Sequence, residues 1–259
     1  MNVFDHQSGQ HLSVDTASIY FEQAGTPNKP VLLVLHGSLG NLTDLNPILT
    51  QLATRYTLIG IDSRGHGIST LGASRLTYER LQKDAELVLQ HLNINNLSIL
   101  GFDDGGVVAY RMAAYSKLQI ERVVTIGSRW HYKNADSTRA VLKSMFNNDS
   151  KEQFAAAYES YQMLNPEPNM EGLQQALIKM WLDPGASGYP SFNLQRYTAP
   201  LLTIRGDEDR VVSPTALVEL GALLPNAVLF NVPFAGHDAH NQQSEMIMLA
   251  LNEFFGKAS

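Results

Sequence analysis

The 259-residue sequence contains no cysteine. Disulfides, thiolate nucleophiles and cysteine-ligated metals are therefore excluded. Basic residues are scarce: 19 Lys and Arg stand against 25 Asp and Glu, for a formal net charge of −6, and they form no cluster. No affinity for polyanions is expected, so nucleic acid is not expected as a partner. No apolar stretch approaches the roughly 18 residues that a membrane span needs. The start, M-N-V-F-D-H-Q-S-G-Q, lacks the basic residues and following apolar run of a signal peptide. These absences lead to the expectation of a cytoplasmic protein with no membrane partner. Repeats and low-complexity tracts are also lacking. What remains is a chain with 44% hydrophobic and 17% charged residues, long enough for one α/β domain with a sizeable core.

Apolar runs and helical patterns alternate along the first half. Thr16 to Ala24 is rich in β-branched and aromatic residues and reads as part of a hairpin. Pro30-V-L-L-V-L-His36 is a continuous aliphatic run, the signature of a strand buried on both faces. Thr43 or Asp44 is placed to cap a helix to about Thr54, and Tyr56 to Asp62 is the next strand. Thr77 is placed to cap a helix from about Tyr78 to Leu92, with Leu81, Ala85, Val88 and Leu92 on one face. The run ending at Gly101, a helix from Val107 to Tyr115 and a strand from Val123 to Gly127 follow. The alternation predicts an α/β fold with a mostly parallel central sheet and helices on both faces. The loops after Leu35, Ile61, Leu100 and Ile126 should then line one crevice at the carboxyl ends of the strands.

From about Arg129 to Tyr197 the pattern turns helical and more polar, broken at Pro166, Pro168, Pro184 and Pro190. This is expected to be an inserted helical cap over residues 129–197. Residues 1–128 and 198–259 are then the two parts of the core domain. Strands at Pro200 to Arg205 and Ala227 to Val232, a helix opened by Ser213-Pro214 and a closing helix from Glu245 to Phe255 complete the chain.

Chemistry concentrates in Leu97 to Gly106, L-S-I-L-G-F-D-D-G-G. A strand, a very tight turn and a helix are implied there, with Gly101 and Gly105 flanking the turn in the spacing Gly-x-nucleophile-x-Gly. Asp103 occupies the central position, where Ser is usual. In chain order Asp103 is followed by Asp207 or Asp209 and then His237, the order nucleophile, acid, base. His36 and His66 are expected to order loops. His240 is expected at the surface. A metal on His237 and His240 lacks a supporting carboxylate or cysteine cluster, and nothing calls for a cofactor.

The motifs His36-Gly37-Ser38-Leu39-Gly40, Asp62-Ser63-Arg64-Gly65-His66-Gly67, Gly101-Phe102-Asp103-Asp104-Gly105-Gly106, Gly206-Asp207-Glu208-Asp209 and Gly236-His237 together resemble the α/β-hydrolase fold family. The elbow is most similar to that of small serine hydrolases with Gly-x-Ser-Asp-Gly-Gly, such as the valacyclovir hydrolase-like esterases. The resemblance implies Asp209 as the acid that orients His237, and an oxyanion hole from the backbone N–H groups of Ser38 and Asp104. In aminoacyl-ester hydrolases with this elbow, the carboxylate at the Asp104 position binds the substrate's ammonium group. Trp130 and Trp181 are candidates for contact with a small-molecule substrate or its leaving halide, although each also suits a core anchor.

Asp103 divides the readings. A carboxylate suits attack on saturated carbon, as in the haloalkane dehalogenases and epoxide hydrolases of this fold. The surrounding residues depart from their patterns: Asp104 stands where dehalogenases have Trp or Arg, Val107 where the fluoroacetate type has Arg, and Leu39 where epoxide hydrolases have Pro. Tyr158, Tyr161 and Tyr189 are candidates for activating an epoxide oxygen. The surroundings favour a hydrolase of the esterase-like branch with Asp at the nucleophile position. A non-catalytic binder that kept the pocket is the third possibility.

Overall fold

The computed structural model describes residues 3–133 and 155–256. Eight strands form one sheet in the order β1-β2-β4-β3-β5-β6-β7-β8. The antiparallel hairpin of β1 (Gln10–Val14) and β2 (Ala17–Gly25) sits at one edge, and β2 pairs antiparallel with β4 (Thr57–Ile61). From β4 onward every pairing is parallel, through β3 (Val31–Leu35), β5 (Asn96–Phe102), β6 (Gln119–Ile126), β7 (Leu201–Gly206) and β8 (Val228–Val232).

The aliphatic run of β3 is buried on both faces, as its composition requires. Leu33 and Leu35 belong to the core on one side of the sheet, and Leu32 and Val34 to the core on the other. Side chains alternate across a strand, so a run without polar residues has no solvent side to offer. The first core lies beneath α2 (Tyr78–His91) and α3 (Asp104–Tyr115). The second lies beneath α1 (Asn46–Leu49) and the closing helix α8 (Ser244–Gly256). Thr77 caps α2 by accepting the Arg80 N–H, and Ser213 caps α6 (Pro214–Leu223) by accepting that of Ala216.

The helix expected from Thr43 or Asp44 to Thr54 shrinks to the four residues of α1 and a short 3-10 turn at Leu52–Thr54. The capping side chains are spent in the loop before it. Asp44 accepts the Asn41 N–H, and Asn41 accepts both the N–H and the hydroxyl of Thr43. Pro47 then sets the helix start, and Leu45 precedes it without a side-chain cap.

The chain leaves the sheet after β6 and returns at β7. Among the described residues this excursion holds α4 (Ala155–Leu164), α5 (Met170–Trp181) and a 3-10 turn at Ser191–Arg196. Residues 134–154 of the expected cap lie outside the described residues. The excursion is tied to the core by polar bonds. Asn165 donates to the carbonyls of Gly67 and Ser69, and Arg111 donates to those of Ala186 and Gly188. Beneath it, Arg64 of the loop after β4 is fully buried and forms a two-pronged pair with Asp84 of α2, both bonds 2.8 Å long. The last short helix, α7 (Ala239–Gln242), follows the loop that carries His237.

Candidate active site

The turn between β5 and α3 places the central side chain. Asp103 has φ 48° and ψ −115°, a conformation that costs a non-glycine residue on the order of 1–3 kcal/mol. Both flanking glycines are required by close approach. A Cβ on Gly101 would lie 2.4 Å from the Gly105 carbonyl oxygen. One on Gly105 would lie 2.3 Å from the Leu35 carbonyl oxygen and 2.5 Å from that of His36. These are backbone atoms of a buried parallel strand, and they cannot turn aside. Gly105→Ala is therefore expected to destabilise the protein by about 3 kcal/mol or more, read as a lowered urea midpoint.

Asp103 and His237 meet across the carboxyl ends of the strands. His237 Nε2 lies 3.5 Å from Asp103 Oδ1, and His237 Nδ1 lies 3.0 Å from Asp209 Oδ2. Asp209 is held by the turn after β7: its Oδ1 accepts the N–H groups of Val211 and Val212 at 2.7 and 3.0 Å. Asp207, the other acid weighed for this position, is exposed and accepts the Ala235 N–H instead. The second oxygen of Asp103 points away from His237. The Ser38 N–H donates to Asp103 Oδ2 at 2.9 Å. The Asp104 N–H is among the first of α3, where no intrahelical partner exists and negative charge is favoured.

The charges are strongly linked. Burial alone would lower the His237 pKa, but its bonds to Asp103 and Asp209 and their charges raise it to about 10. Burial would raise Asp103, yet the His237 bond and charge and the Ser38 N–H leave it below its ordinary value. The bonds to both carboxyl groups thus favour the protonated imidazole in the resting site.

Asp104 is buried beside them. Its Oδ1 accepts from the Tyr78 hydroxyl at 2.6 Å, its Oδ2 from the Ser38 hydroxyl at 2.5 Å, and the Trp181 indole N–H reaches both oxygens at 3.0 Å. Burial and the adjacent Asp103 charge push its pKa up to about 7, against the pull of those donors. Both oxygens are thus already engaged, and an ammonium ligand would have to displace a protein donor.

Trp181 of α5 lines the cavity, whereas the indole N–H of Trp130 donates to the Ala216 carbonyl at 2.8 Å. Trp130 is an anchor between β6 and α6 and is not among the cavity residues. Of the tyrosines, Tyr158 accepts from Gln174 and Tyr161 from the Asn169 N–H, while Tyr189 borders the cavity. His36 orders its loop as expected, accepting the Ser63 N–H at Nε2. His240 departs from expectation. It is buried against the Phe102 ring, and burial lowers its pKa to about 4, because the turn after His237 folds back under the elbow. Among the described residues no group of three or more His, Asp or Glu is arranged to hold a metal.

Two spaces adjoin Asp103. An outer cavity of about 460 Å³ opens past Leu39, Asn41, Ala157 and Ser160. An inner chamber of about 20 Å³, room for little more than one water, is bounded by Tyr78, Asp104, Val107, Arg129 and Tyr189. Ser38, Asp103, Trp181, Val211 and His237 border both. Tyr78, Arg129 and Val211 escaped the sequence reading. Arg129 and Val211 carried a positional signal, since they follow the ends of β6 and β7, on the ligand side of a parallel sheet.

This constellation can be set beside known proteins. Residues 30–157 match the alpha/beta hydrolase fold family. Esterase YbfF of Escherichia coli (strain K12) is 24% identical, covering 88% of this chain and 93% of the esterase. Serine hydrolase BPHL of Mus musculus is 32% identical over 49% of this chain and 45% of its own length. A solved hydrolase from Pseudomonas aeruginosa PA01 superposes with a TM-score of 0.81 at 21% identity, covering 98% of this chain and 100% of that one. With the strand order and elbow described above, this superposition shows that the chain has the α/β-hydrolase fold.

Proposed function

We propose that this protein is a hydrolase of small molecules in which the Asp103 carboxylate takes the substrate covalently. The observation that carries the proposal is the bond from the Ser38 N–H to Asp103 Oδ2. In acyl transfer by a serine, the oxyanion hole must stand open for the substrate's carbonyl oxygen. Here the side chain at the nucleophile position fills it with its own oxygen. That arrangement suits a reaction whose tetrahedral centre is the Asp103 carboxyl carbon itself.

The steps follow from the charges. Oδ1 is ionised and needs no base, so it attacks a saturated carbon bearing a leaving group, such as a halide or an epoxide oxygen. The new C–O bond forms as the bond to the leaving group breaks, and the electron pair departs with that group. Asp103 is then a neutral ester. His237 loses one of the two anions that kept it protonated and gives up its proton, to the opened oxygen where the substrate is an epoxide and to solvent where a halide leaves, and so becomes a base. Water attacks the Asp103 carboxyl carbon and gives its proton to His237 Nε2. The oxyanion forms on Oδ2, already against Ser38. Collapse breaks the bond from the carboxyl carbon to Oδ1, the alcohol leaves with the His237 proton, and the carboxylic acid first formed gives its proton to His237, restoring the carboxylate and the imidazolium. Asp209 holds the imidazole in register throughout. The excursion over residues 129–197 serves as the cap, with Trp181, Ala157 and Ser160 limiting the substrate's size.

A second reading is favoured by the relatives, among them an esterase. In it Asp103 and His237 activate water directly on a carboxylic ester. The origin of the product oxygen separates the two. In a single turnover in ¹⁸O-labelled water, covalent attack by Asp103 is expected to give an unlabelled alcohol and an Asp103 peptide heavier by one ¹⁸O. A labelled product with unlabelled Asp103 overturns the proposal, and so does turnover confined to esters.

A further inference from the structure

We infer that Asp104 is a positioning residue: its carboxylate holds the Ser38 hydroxyl and thereby fixes the Ser38 N–H on the Asp103 oxygen that takes up charge when the ester on Asp103 is hydrolysed. This rests on the Asp103 mechanism proposed above, in which the Asp104 side chain has no step of its own. Ser38 bridges the two carboxylates. Its N–H donates to Asp103 Oδ2 at 2.9 Å and its hydroxyl to Asp104 Oδ2 at 2.5 Å. A single rotatable bond separates the hydroxyl from the Ser38 backbone, so a restraint on the first restrains the second. The turn that carries Ser38 is strained. The Gly40 N–H donates to the Gly37 carbonyl at 3.2 Å, closing a turn over Ser38 and Leu39. Leu39, its third residue, has φ 56°, where such turns ordinarily take glycine.

Asp104 is a firm anchor for that turn. It opens α3 and is buried, and the next residue, Gly105, donates its N–H to the His36 carbonyl at 3.1 Å. Tyr78 at the start of α2 and Trp181 at the end of α5 donate to the same carboxylate at 2.6 and 3.0 Å. Three parts of the fold thus converge on one side chain with donors, which an ionised carboxylate matches as a pure acceptor. A carboxylate buried beside the Asp103 charge is an unfavourable choice for packing alone. Its use is at Ser38. When Oδ1 attacks, charge leaves the Asp103 carboxylate, and a donor at Oδ2 gives no help. When water attacks the ester, charge builds on Oδ2, and a donor held there in advance lowers the barrier. Asp104 therefore serves the second half of the reaction and not the first.

Rapid-quench kinetics with 1-bromobutane separate the two halves. Bromide release reports alkylation of Asp103, and decay of the butyl adduct, read by intact mass, reports hydrolysis. Ser38→Ala and Asp104→Ala are each expected to slow hydrolysis by about 10–100-fold and to leave alkylation within about threefold. Because the Ser38 hydroxyl also acts on Asp103 itself, the double variant is decisive. It is expected to do no more than the stronger single change, since both cut one link. Asp104→Asn keeps an acceptor for the hydroxyl and is expected to retain part of the rate; it takes the place of Asp104→Ala if that variant does not fold. Equal slowing of both halves would mean a merely structural role and overturns the inference. So do additive effects in the double variant, or hydrolysis at the wild-type rate in either single one. If no adduct forms even in His237→Gln, the covalent mechanism falls and this inference with it. An adduct whose two rates show no such split overturns the inference alone.

Discussion

His237→Gln is expected to lower turnover by about 10²–10⁴-fold while the covalent adduct on Asp103 accumulates. The two halves of the proposed reaction depend on His237 unequally. Asp103 is already ionised, so alkylation needs no proton acceptor. Hydrolysis of the resulting ester needs a base to take a proton from water, and glutamine cannot serve. Intact-mass measurement after mixing the variant with short haloalkanes and epoxides should show the protein heavier by the alkyl group. Peptide mapping should place the added mass on Asp103. If water instead attacks an ester substrate directly, the same substitution removes activity and no adduct forms, which would sink the covalent mechanism.

The same side chain ties stability to pH. His237 is raised to about 10 in the folded protein, from an ordinary value near 6.5. The folded state therefore holds a proton that the unfolded state has released between those values. The stabilisation is complete below about pH 6.5 and is lost as pH rises toward 10. Asp104, pushed up to about 7, acts in the same direction at lower pH. Its buried charge appears as pH climbs from the ordinary carboxylate range, and the folded state loses stability over that span. Urea unfolding between pH 7 and 10 should show a falling midpoint in the wild type and a flatter profile in His237→Gln.

Much of this was legible in the sequence, for reasons that differ from part to part. The strands were readable because Val31 to Leu35 is apolar without interruption and Leu201 to Ile204 is broken only by Thr203, as a sheet covered on both faces permits. The elbow was readable because Gly101 and Gly105 answer a steric demand that any other residue would violate. Chain order leaves Asp207 and Asp209 both open before His237, and only the resemblance singles out Asp209. The contacts of Asp104 were not readable, because Tyr78 lies 26 residues away and Trp181 lies 77 away, on elements whose packing no local pattern encodes. His240 was misplaced for a similar reason. A histidine in a polar stretch reads as exposed unless the turn that buries it is known. The failed helix after Thr43 shows side chains competing for the same backbone donors: Asn41 and Asp44 stabilise a loop in place of a cap.

The largest stability effect outside the site should come from breaking the Arg64–Asp84 pair. Arg64→Met is expected to cost about 3–5 kcal/mol, because it leaves the Asp84 carboxylate buried without its cation. That is a large share of the roughly 5–15 kcal/mol that holds a domain folded. Arg64 is fully buried and Asp84 is 3% exposed, so water cannot stand in for the lost partner. Burial outweighs the Arg64 bonds at Asp84 and leaves its carboxyl above the ordinary value. The charged form therefore fits the folded protein less well than the neutral one, even with Arg64 in place. It follows that removing both charges should cost much less than removing one. Arg64→Met combined with Asp84→Leu is expected to recover most of the loss, with a coupling of about 2 kcal/mol or more between the two sites. Asp84→Asn alone should also cost about 3–5 kcal/mol, since it leaves the fully buried Arg64 guanidinium, which cannot lose its proton, without an anion. Urea midpoints of Arg64→Met, Asp84→Leu, the double variant and the wild type close the cycle and test this directly. Additive losses in the double variant would mean that the two side chains do not interact energetically, and would overturn this expectation. Recovery would mean that its role is to fix the path of the Asp62 to Gly67 loop beneath the excursion.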